Sequence, residues 1–431
     1  MVQLPQAARR VMAALAELGL EPELTDLGRG RDPTAWACRL LTRDGDVPPM
    51  AAGTGKGWRE EARVGALFEA LEHYLTGPAL FDPAAVELVE AAEITAGPLR
   101  DEACMVLLAR TPAERVACRR YRPLAGGPGT PVPLFLSVPW YVETQAGGLR
   151  EQAGDMCDYA HLMRYSCNSG SAVGVTADEA LLHALNEAIE RDAFSLLLVC
   201  AFLSTADFRP AVIDPVTLPA ELERVHAATE QLIGSPVYLL DIVSDVGVPT
   251  MLAYAAPTIS RPHRRGVGTS LSPVYAAWRA LTELLQSTLG EALPWSDAPH
   301  RGELAGLAGC PELYACGRFD LTDHLRSALT VPFASAERVP EHPHRQLREL
   351  CSILAVHGYT PYWRTVAAVT GEITAVHAIV PGLERFMLIT DGNLVLPGPR
   401  GQAAARDSGC PGDFPTRPST AGRPGRTRSS R

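Results

Sequence analysis

Residues 178–198 read DEALLHALNEAIERDAFSLLL, and this run restricts the fold more than any other stretch of the chain. Glu179, His183, Glu187 and Glu190 follow at steps of four, four and three, so a helix places them on one face. Their flanks are Ala180, Leu181, Leu182, Ala184, Leu185, Ala188 and Ile189, which leave little ordinary polar surface besides Asn186 and Asp192. The spacing predicts a helix from Thr176 to about Cys200, mostly buried, with a narrow acidic stripe. Buried carboxylates must be protonated, paired or bound to a cation.

The pattern recurs twice. In VGALFEALEHYL, Glu69 and Glu72 lie three apart among Val64, Leu67, Phe68, Leu71 and Leu75. In AAWRALTELLQSTL, Arg279, Glu283 and Gln286 are spaced by four and three, on a helix predicted from Pro273 to about Leu289. Like charges so placed repel one another without a counterion. Clusters of hard carboxylate oxygens suit Mg²⁺, above all where phosphates complete the coordination. Just upstream of the first acidic helix, GTGKG (residues 53–57) reads as a glycine-rich loop that a phosphate can approach closely, with Lys56 as a point charge. The Walker A spacing GxxxxGK[ST] is absent. Arg191, beside Glu190, suits either a phosphate or the acidic face.

Elsewhere an amphipathic helix is predicted to about Gly19, with Glu17 interrupting its apolar residues as no signal peptide would. TAWACRLLT, VPLFLSVPWYV, SPVYLLDIVSD, VPTMLAYAA, TPYWRTVA and ITAVHAIV read as strands, the middle pair joined by a turn at Asp245–Gly247. Strands and helices alternate without the beat of a doubly wound sheet. The expected class is α+β, with mixed or antiparallel sheets packed with helices. The chain divides into an N-terminal helix (1–25), a catalytic domain (26–397) and a Pro/Gly/Arg-rich tail (398–431) expected to be disordered. A net charge of −10 argues against nucleic acid and anionic lipid as partners. No apolar run is long enough to cross a membrane. Ten scattered cysteines without a CxxC pair read as free thiols of a cytoplasmic protein.

Taken in order, GTGKG with EARVGALFEALEHY, NSGSAVGVTADEALLHALNEAIERDA, SDVGVPTMLAYAA with GVGTSLSPVYAAWRALTELLQS, and VPGLERF resemble the signature of the YcaO family, from about Asp26 to about Pro399. The resemblance implies an ATP- and Mg²⁺-dependent enzyme that activates a peptide backbone amide by phosphorylating its oxygen. Glu69, Glu72, Glu179, Glu187 and Glu190 are then the metal and nucleotide set, with Lys56 and Arg191 near phosphates. Asn168, His183, Glu283 and Gln286 are further candidates. The implied setting is the modification of a ribosomally made precursor peptide, by cyclodehydration to an azoline or by thioamide or macroamidine formation. About 50 residues precede the GKG segment, too few for a leader-binding domain, so a separate leader-peptide-binding partner, or direct recognition through the N-terminal region, is expected. A homodimer is left open. The chain departs from the family pattern at Gly65, at Asn168-Ser169-Gly170, at Val175 and at Thr288. Two other readings stand beside this one: a non-catalytic scaffold of the same family, and a metallohydrolase that would need His183 and His73 as ligands.

Overall fold

The computed structural model describes residues 3–258, 264–291, 293, 303–334, 339–369 and 373–406. The chain begins with α1 (Leu4–Glu17), whose buried face of Val11, Ala14 and Leu15 keeps the helical spacing expected from sequence. An antiparallel meander follows, built of β1 (Leu20–Asp26), β2 (Thr34–Thr42) and β3 (Ala52–Gly57), with Trp36 opposite Gly55. It runs directly into α2 (Arg59–Thr76). Leu15, Leu40, Leu67 and Leu71 share one core with Ala375 of the second sheet, described next. The expected boundary between residues 25 and 26 therefore cuts through β1, and the first helix belongs to the main body.

The second sheet contains β4 (Glu87–Glu90), β5 (Arg115–Pro123), β6 (Thr130–Pro133) and β7 (Ser171–Gly174). Three short helices, α3 (Ala91–Ala96), α4 (Met105–Leu108) and α5 (Gly147–Ala153), lie between its strands. VPLFLSVPWYV is not the single strand expected: β6 ends at Pro133, and 3₁₀ turns follow at Leu134–Leu136 and Pro139–Val142. The run is buried except at half-buried Val138 and Pro139, so hydrophobicity alone does not set its period. Pro133 and Pro139 lack the N–H groups that a ladder needs.

After α6 (Ala177–Phe202) the third sheet forms from β8 (Ala211–Ile213), β9 (Tyr238–Asp241), β10 (Thr250–Tyr254) and β11 (Arg265–Thr269), with α7 (Ala220–Ile233) between β8 and β9. Next come α8 (Pro273–Gly290), α9 (Pro311–Arg318) and α10 (Thr322–Leu325). β12 (Leu329–Val331) then pairs with β8 in parallel, whereas all the other described pairings are antiparallel. α11 (Pro343–Val356) precedes the hairpin β13 (Tyr362–Val369) and β14 (Ile373–Ile379), which returns to the second sheet and pairs with β5 and β7. The class is α+β, as expected.

The last described element is α12 (Pro399–Arg406), where the sequence predicts a disordered tail from residue 398. Arg400 explains the difference. Its guanidinium donates to both oxygens of Asp192, at 2.6 and 2.9 Å, and pairs with Asp245. Asp192 is fully buried, so the helix supplies the counterion that this carboxylate requires. Residues 407–431 of that expectation lie outside the described residues.

Candidate active site

β3, β7 and β11 are each the outer strand of their own sheet, and each leads at once into a long helix: α2, α6 and α8. The three strand–helix units close on one another in a ring. α2 lies on β3 and reaches β7; α6 lies on β7 and reaches β11; α8 lies on β11 and reaches β3. Glycines make the first contact of each pair possible. A Cβ on Gly55 would sit 1.9 Å from the Ala62 carbonyl oxygen, and one on Gly53 would sit 2.4 Å from the Ala70 nitrogen. Gly268 and Gly266 meet the carbonyls of Ala276 and Ala280 in the same way, each at 2.3 Å. GTGKG is thus a strand pressed against a helix, rather than the phosphate loop expected from sequence. Glycine permits either close approach, and α2 has taken the space.

The side chains of the acidic stripes face a cleft of about 2560 Å³ enclosed by this ring. It is lined by every residue singled out from the sequence: Lys56, Glu69, Glu72, Asn168, Glu179, His183, Glu187, Glu190, Arg191, Glu283 and Gln286. Thr176 caps α6 by accepting from Glu179 N at 3.2 Å, and Ser272 caps α8 by accepting from Tyr275 N at 3.3 Å. Backbone N–H groups then orient the carboxylates. Val173 donates to Glu72 at 3.1 Å, Val175 to Glu179 at 3.2 Å, Gly170 to Glu187 at 3.2 Å, and Val267 to Glu283 at 3.3 Å. The donation from Val173 to Glu72 joins two strand–helix units, and sequence reasoning misses it because it depends on which outer strand α2 reaches.

The carboxylates fall into two groups. Glu72 is raised well above the ordinary range, first by burial and then by the charges of Glu187 and Glu69. Burial also raises Glu69, opposed by His73 and Lys56, and raises Glu179. Glu190, 3% exposed, is raised to about 7, again chiefly by burial and by Glu283, against the pull of Arg191 and Arg279. Glu283 behaves oppositely. Burial would raise it, but Lys56 and Arg191 more than offset that and hold it at about 2. Lys56 is accordingly committed to Glu283, while Arg191 reaches Glu187 at 3.3 Å and Glu190 at 3.7 Å.

These residues suit Mg²⁺ with a polyphosphate. Glu72 sits beside the charges of Glu187 and Glu69, a crowding that a cation would relieve. Among the described residues, no three His, Cys, Asp or Glu side chains enclose a metal site by themselves. Phosphate oxygens usually complete a Mg²⁺ shell that protein carboxylates leave open. Arg191 Nε and Arg279 Nε are buried in the cleft without an acceptor, as donors awaiting an anion would be. Arg279 is the residue most easily undervalued in the sequence; its spacing from Glu283 is the signal that marks it.

An α+β ring of outer strands and acidic helices around such a cleft defines a nucleotide- and Mg²⁺-binding protein. Residues 54–384 match the family model described as YcaO cyclodehydratase, ATP- and Mg²⁺-binding, and the chain belongs to the YcaO family. It is 30% identical over 387 residues to an uncharacterized protein of Methanothermobacter thermautotrophicus, covering 84% of this chain and 89% of that one. A shorter likeness, 36% over 137 residues, covers 28% of this chain and 30% of an uncharacterized protein in the tfuA 3′ region of Rhizobium leguminosarum bv. trifolii. Among solved structures, YcaO from Methanopyrus kandleri bound with AMPPCP and Mg²⁺ has a TM-score of 0.61 at 19% identity, over 91% of this chain and 94% of that one. A heterocyclase in complex with substrate and cofactor also gives 0.61 at 16% identity, over 89% of this chain but only 53% of the heterocyclase. The E. coli microcin synthetase McbBCD complex with pro-MccB17 bound gives 0.54 at 12% identity, over 84% of this chain and 91% of that one. At these identities the structures establish the shared fold.

Among the described residues, no helix is long and apolar enough to cross a membrane. Cys38, Cys104, Cys118, Cys157, Cys167, Cys310, Cys316 and Cys351 are free thiols.

Proposed function

We propose that the chain activates a backbone amide of a ribosomally made peptide at the expense of ATP, and that the product is an azoline. Glu72, Glu187 and Glu190, with Glu69 and Glu179, would hold Mg²⁺, which supplies charge neutralisation at the phosphates. Arg191 and Arg279, which line the cleft, would orient the polyphosphate through their guanidinium groups. In the overall change a side-chain hydroxyl or thiol gives up its proton and adds to the amide carbon, the amide oxygen takes the terminal phosphoryl group of ATP, and ADP leaves. Inorganic phosphate then leaves as the nitrogen gives up its proton and forms the ring C=N bond. An amide oxygen is a poor leaving group, and phosphorylation corrects that.

The observation that carries this reading is the cleft itself. Burial raises Glu69, Glu72, Glu179 and Glu190, and Arg191 and Arg279, which line the same cleft, each keep a buried Nε without an acceptor. Support also comes from the family and from neighbours described as a heterocyclase and a microcin synthetase. The cleft exceeds the roughly 300–1,000 Å³ that ordinary small ligands occupy, leaving room for a peptide beside a nucleotide. A precursor peptide delivered by a separate leader-binding protein, in the reducing cytoplasm, completes the proposal.

The test is mass spectrometry of a precursor peptide, taken from the gene neighbourhood, after incubation with the chain, Mg²⁺ and ATP. Loss of one water per modified residue supports an azoline. Exchange of oxygen for sulfur, or joining of an amine with loss of water, would replace it with thioamide or macroamidine formation by the same activation. An unchanged peptide, together with no Mg²⁺-dependent nucleotide binding, would favour a scaffold.

A further inference from the structure

His183 occupies the middle of the acidic face of α6, one turn after Glu179 and one turn before Glu187. From α8, Arg279 approaches it, with Nη1 3.4 Å from His183 Nδ1. A guanidinium nitrogen always carries its hydrogens. The ring nitrogen facing it must therefore offer a lone pair. The contact fixes the tautomer by geometry: Nδ1 accepts, and the ring hydrogen resides on Nε2.

The surroundings agree. Burial lowers His183 to about 3, and Arg279, Lys56 and Arg191 push the same way against Glu283. The ring is uncharged at neutral pH. His183 lines the cleft, and among the described residues no acceptor engages its Nε2.

The cleft is electrically divided at this point. Glu72 is crowded by Glu187 and Glu69, whereas Lys56, Arg191 and Arg279 all act on Glu283. A polyphosphate with its Mg²⁺ is best placed along that boundary, metal toward the carboxylates and free oxygens toward the cations. A charged imidazole there would compete with Mg²⁺ for the same glutamates and be repelled by three cations. A neutral N–H avoids both costs. We propose that His183, through Nε2–H, is a hydrogen-bond donor to a terminal phosphoryl oxygen of the bound Mg²⁺–nucleotide, with Arg279 as the residue that positions it. The ring stabilises charge on that oxygen and transfers no proton. The inference rests on Mg²⁺–nucleotide binding in this cleft.

Nitrogen-15 spectra of the imidazole groups in the full chain test it, with His183→Gln used to assign the signal. The expected result is an Nε2–H tautomer that does not titrate from about pH 5.5 to about pH 8.5. The Nε2 signal should move when Mg²⁺ and AMPPCP are added, and much less with Mg²⁺ and ADP, which lacks the terminal group. An Nδ1–H tautomer, a titration near the ordinary histidine value, or equal responses to the two nucleotides would overturn it. Calorimetry on the same samples separates the two levels of the argument. If AMPPCP does not bind in Mg²⁺, the nucleotide reading itself fails; if it binds and leaves His183 unmoved, only this inference fails. His183→Phe should lose about tenfold in the preference for AMPPCP over ADP, and His183→Gln, which keeps a neutral N–H donor, should recover most of it. Wild-type preference in both variants would also overturn the proposal. If the phenylalanine variant does not fold, the spectra of the unaltered chain decide.

Discussion

Lys56 of β3 and Glu283 of α8, 227 residues apart, form an ion pair inside the cleft. The pair joins the first strand–helix unit to the third, where α8 crosses β3. Gln286, one turn further along α8, donates to Thr54 Oγ1 at 2.8 Å, and Thr54 lies 3.5 Å from Glu69. Glu283 therefore has its cation built in, whereas Glu72 faces Glu187 and Glu69.

Lys56→Met should destabilise the protein by about 1–3 kcal/mol, since it leaves a largely buried carboxylate dependent on more distant arginines. Glu283→Gln should cost less, and the double variant should be more stable than the sum of the two predicts. Urea unfolding midpoints measure the coupling. Glu283 is depressed in the folded state, so its contribution is full above the unfolded value of 4.5 and is lost as pH falls to about 2. The deficit of Lys56→Met should narrow over that window. A deficit that widened on acidification would contradict the assignment.

Glu72→Gln should act in the opposite sense on the empty protein. It removes a charge that burial, Glu187 and Glu69 all disfavour, and the amide oxygen can still accept from Val173 N. Stability without metal should rise by about 1 kcal/mol. Stabilisation by Mg²⁺ with AMPPCP should fall by at least about tenfold in apparent affinity. Because Glu72, Glu69 and Glu190 are raised in the folded state, the folded chain binds more protons above pH 4.5 than the unfolded chain does. Metal-free wild type should lose stability as pH rises from about 5 to about 8, and bound Mg²⁺–nucleotide should flatten that slope. Thermal scans at several pH values provide the check.

Arg400→Ala should cost about 3–5 kcal/mol, because Asp192 is wholly buried and would lose its partner. Ending the chain after Arg406 should leave the melting temperature close to that of the full chain. Ending it after Gly398 should lower the temperature as far as Arg400→Ala does.

Gly55→Ala should damage the site without touching a carboxylate. Its new methyl group would collide with the Ala62 carbonyl and the Ala66 nitrogen, at 1.9 and 2.3 Å, so α2 must lift from β3. Glu69 and Glu72 move with the helix. A stability loss of about 1–3 kcal/mol should accompany weaker Mg²⁺-dependent AMPPCP binding, whereas Gly148→Ala, with nothing within 4 Å, should leave binding intact.

The helices and their acidic faces are legible in the sequence because a 3.6-residue period is a local property. Thr176, Pro273 and the Glu187/Glu190 spacing need no tertiary information. The hairpin β9–β10 and the strands β13 and β14 are read for the same reason. What escapes the sequence depends on distant partners. GTGKG carries glycine for contact with α2, and nothing in those five residues separates that from contact with a phosphate. The pairing of Lys56 with Glu283, the donation from Val173 of β7 to Glu72 and the docking of Arg400 on Asp192 span too much chain for any periodicity to show. The prolines in VPLFLSVPWYV are a local sign against a strand, outweighed in reading by its apolar length.

The closed order of the three units, with each helix braced by the outer strand of the next, has a further consequence. No pair of units contains all the contacts of the cleft, so no excised fragment should keep a weakened version of the site. Losing any one sheet removes the backstop of one helix and the load carried by another. Affinity for Mg²⁺–nucleotide should therefore report the integrity of the entire chain, falling all at once during denaturation instead of fading region by region.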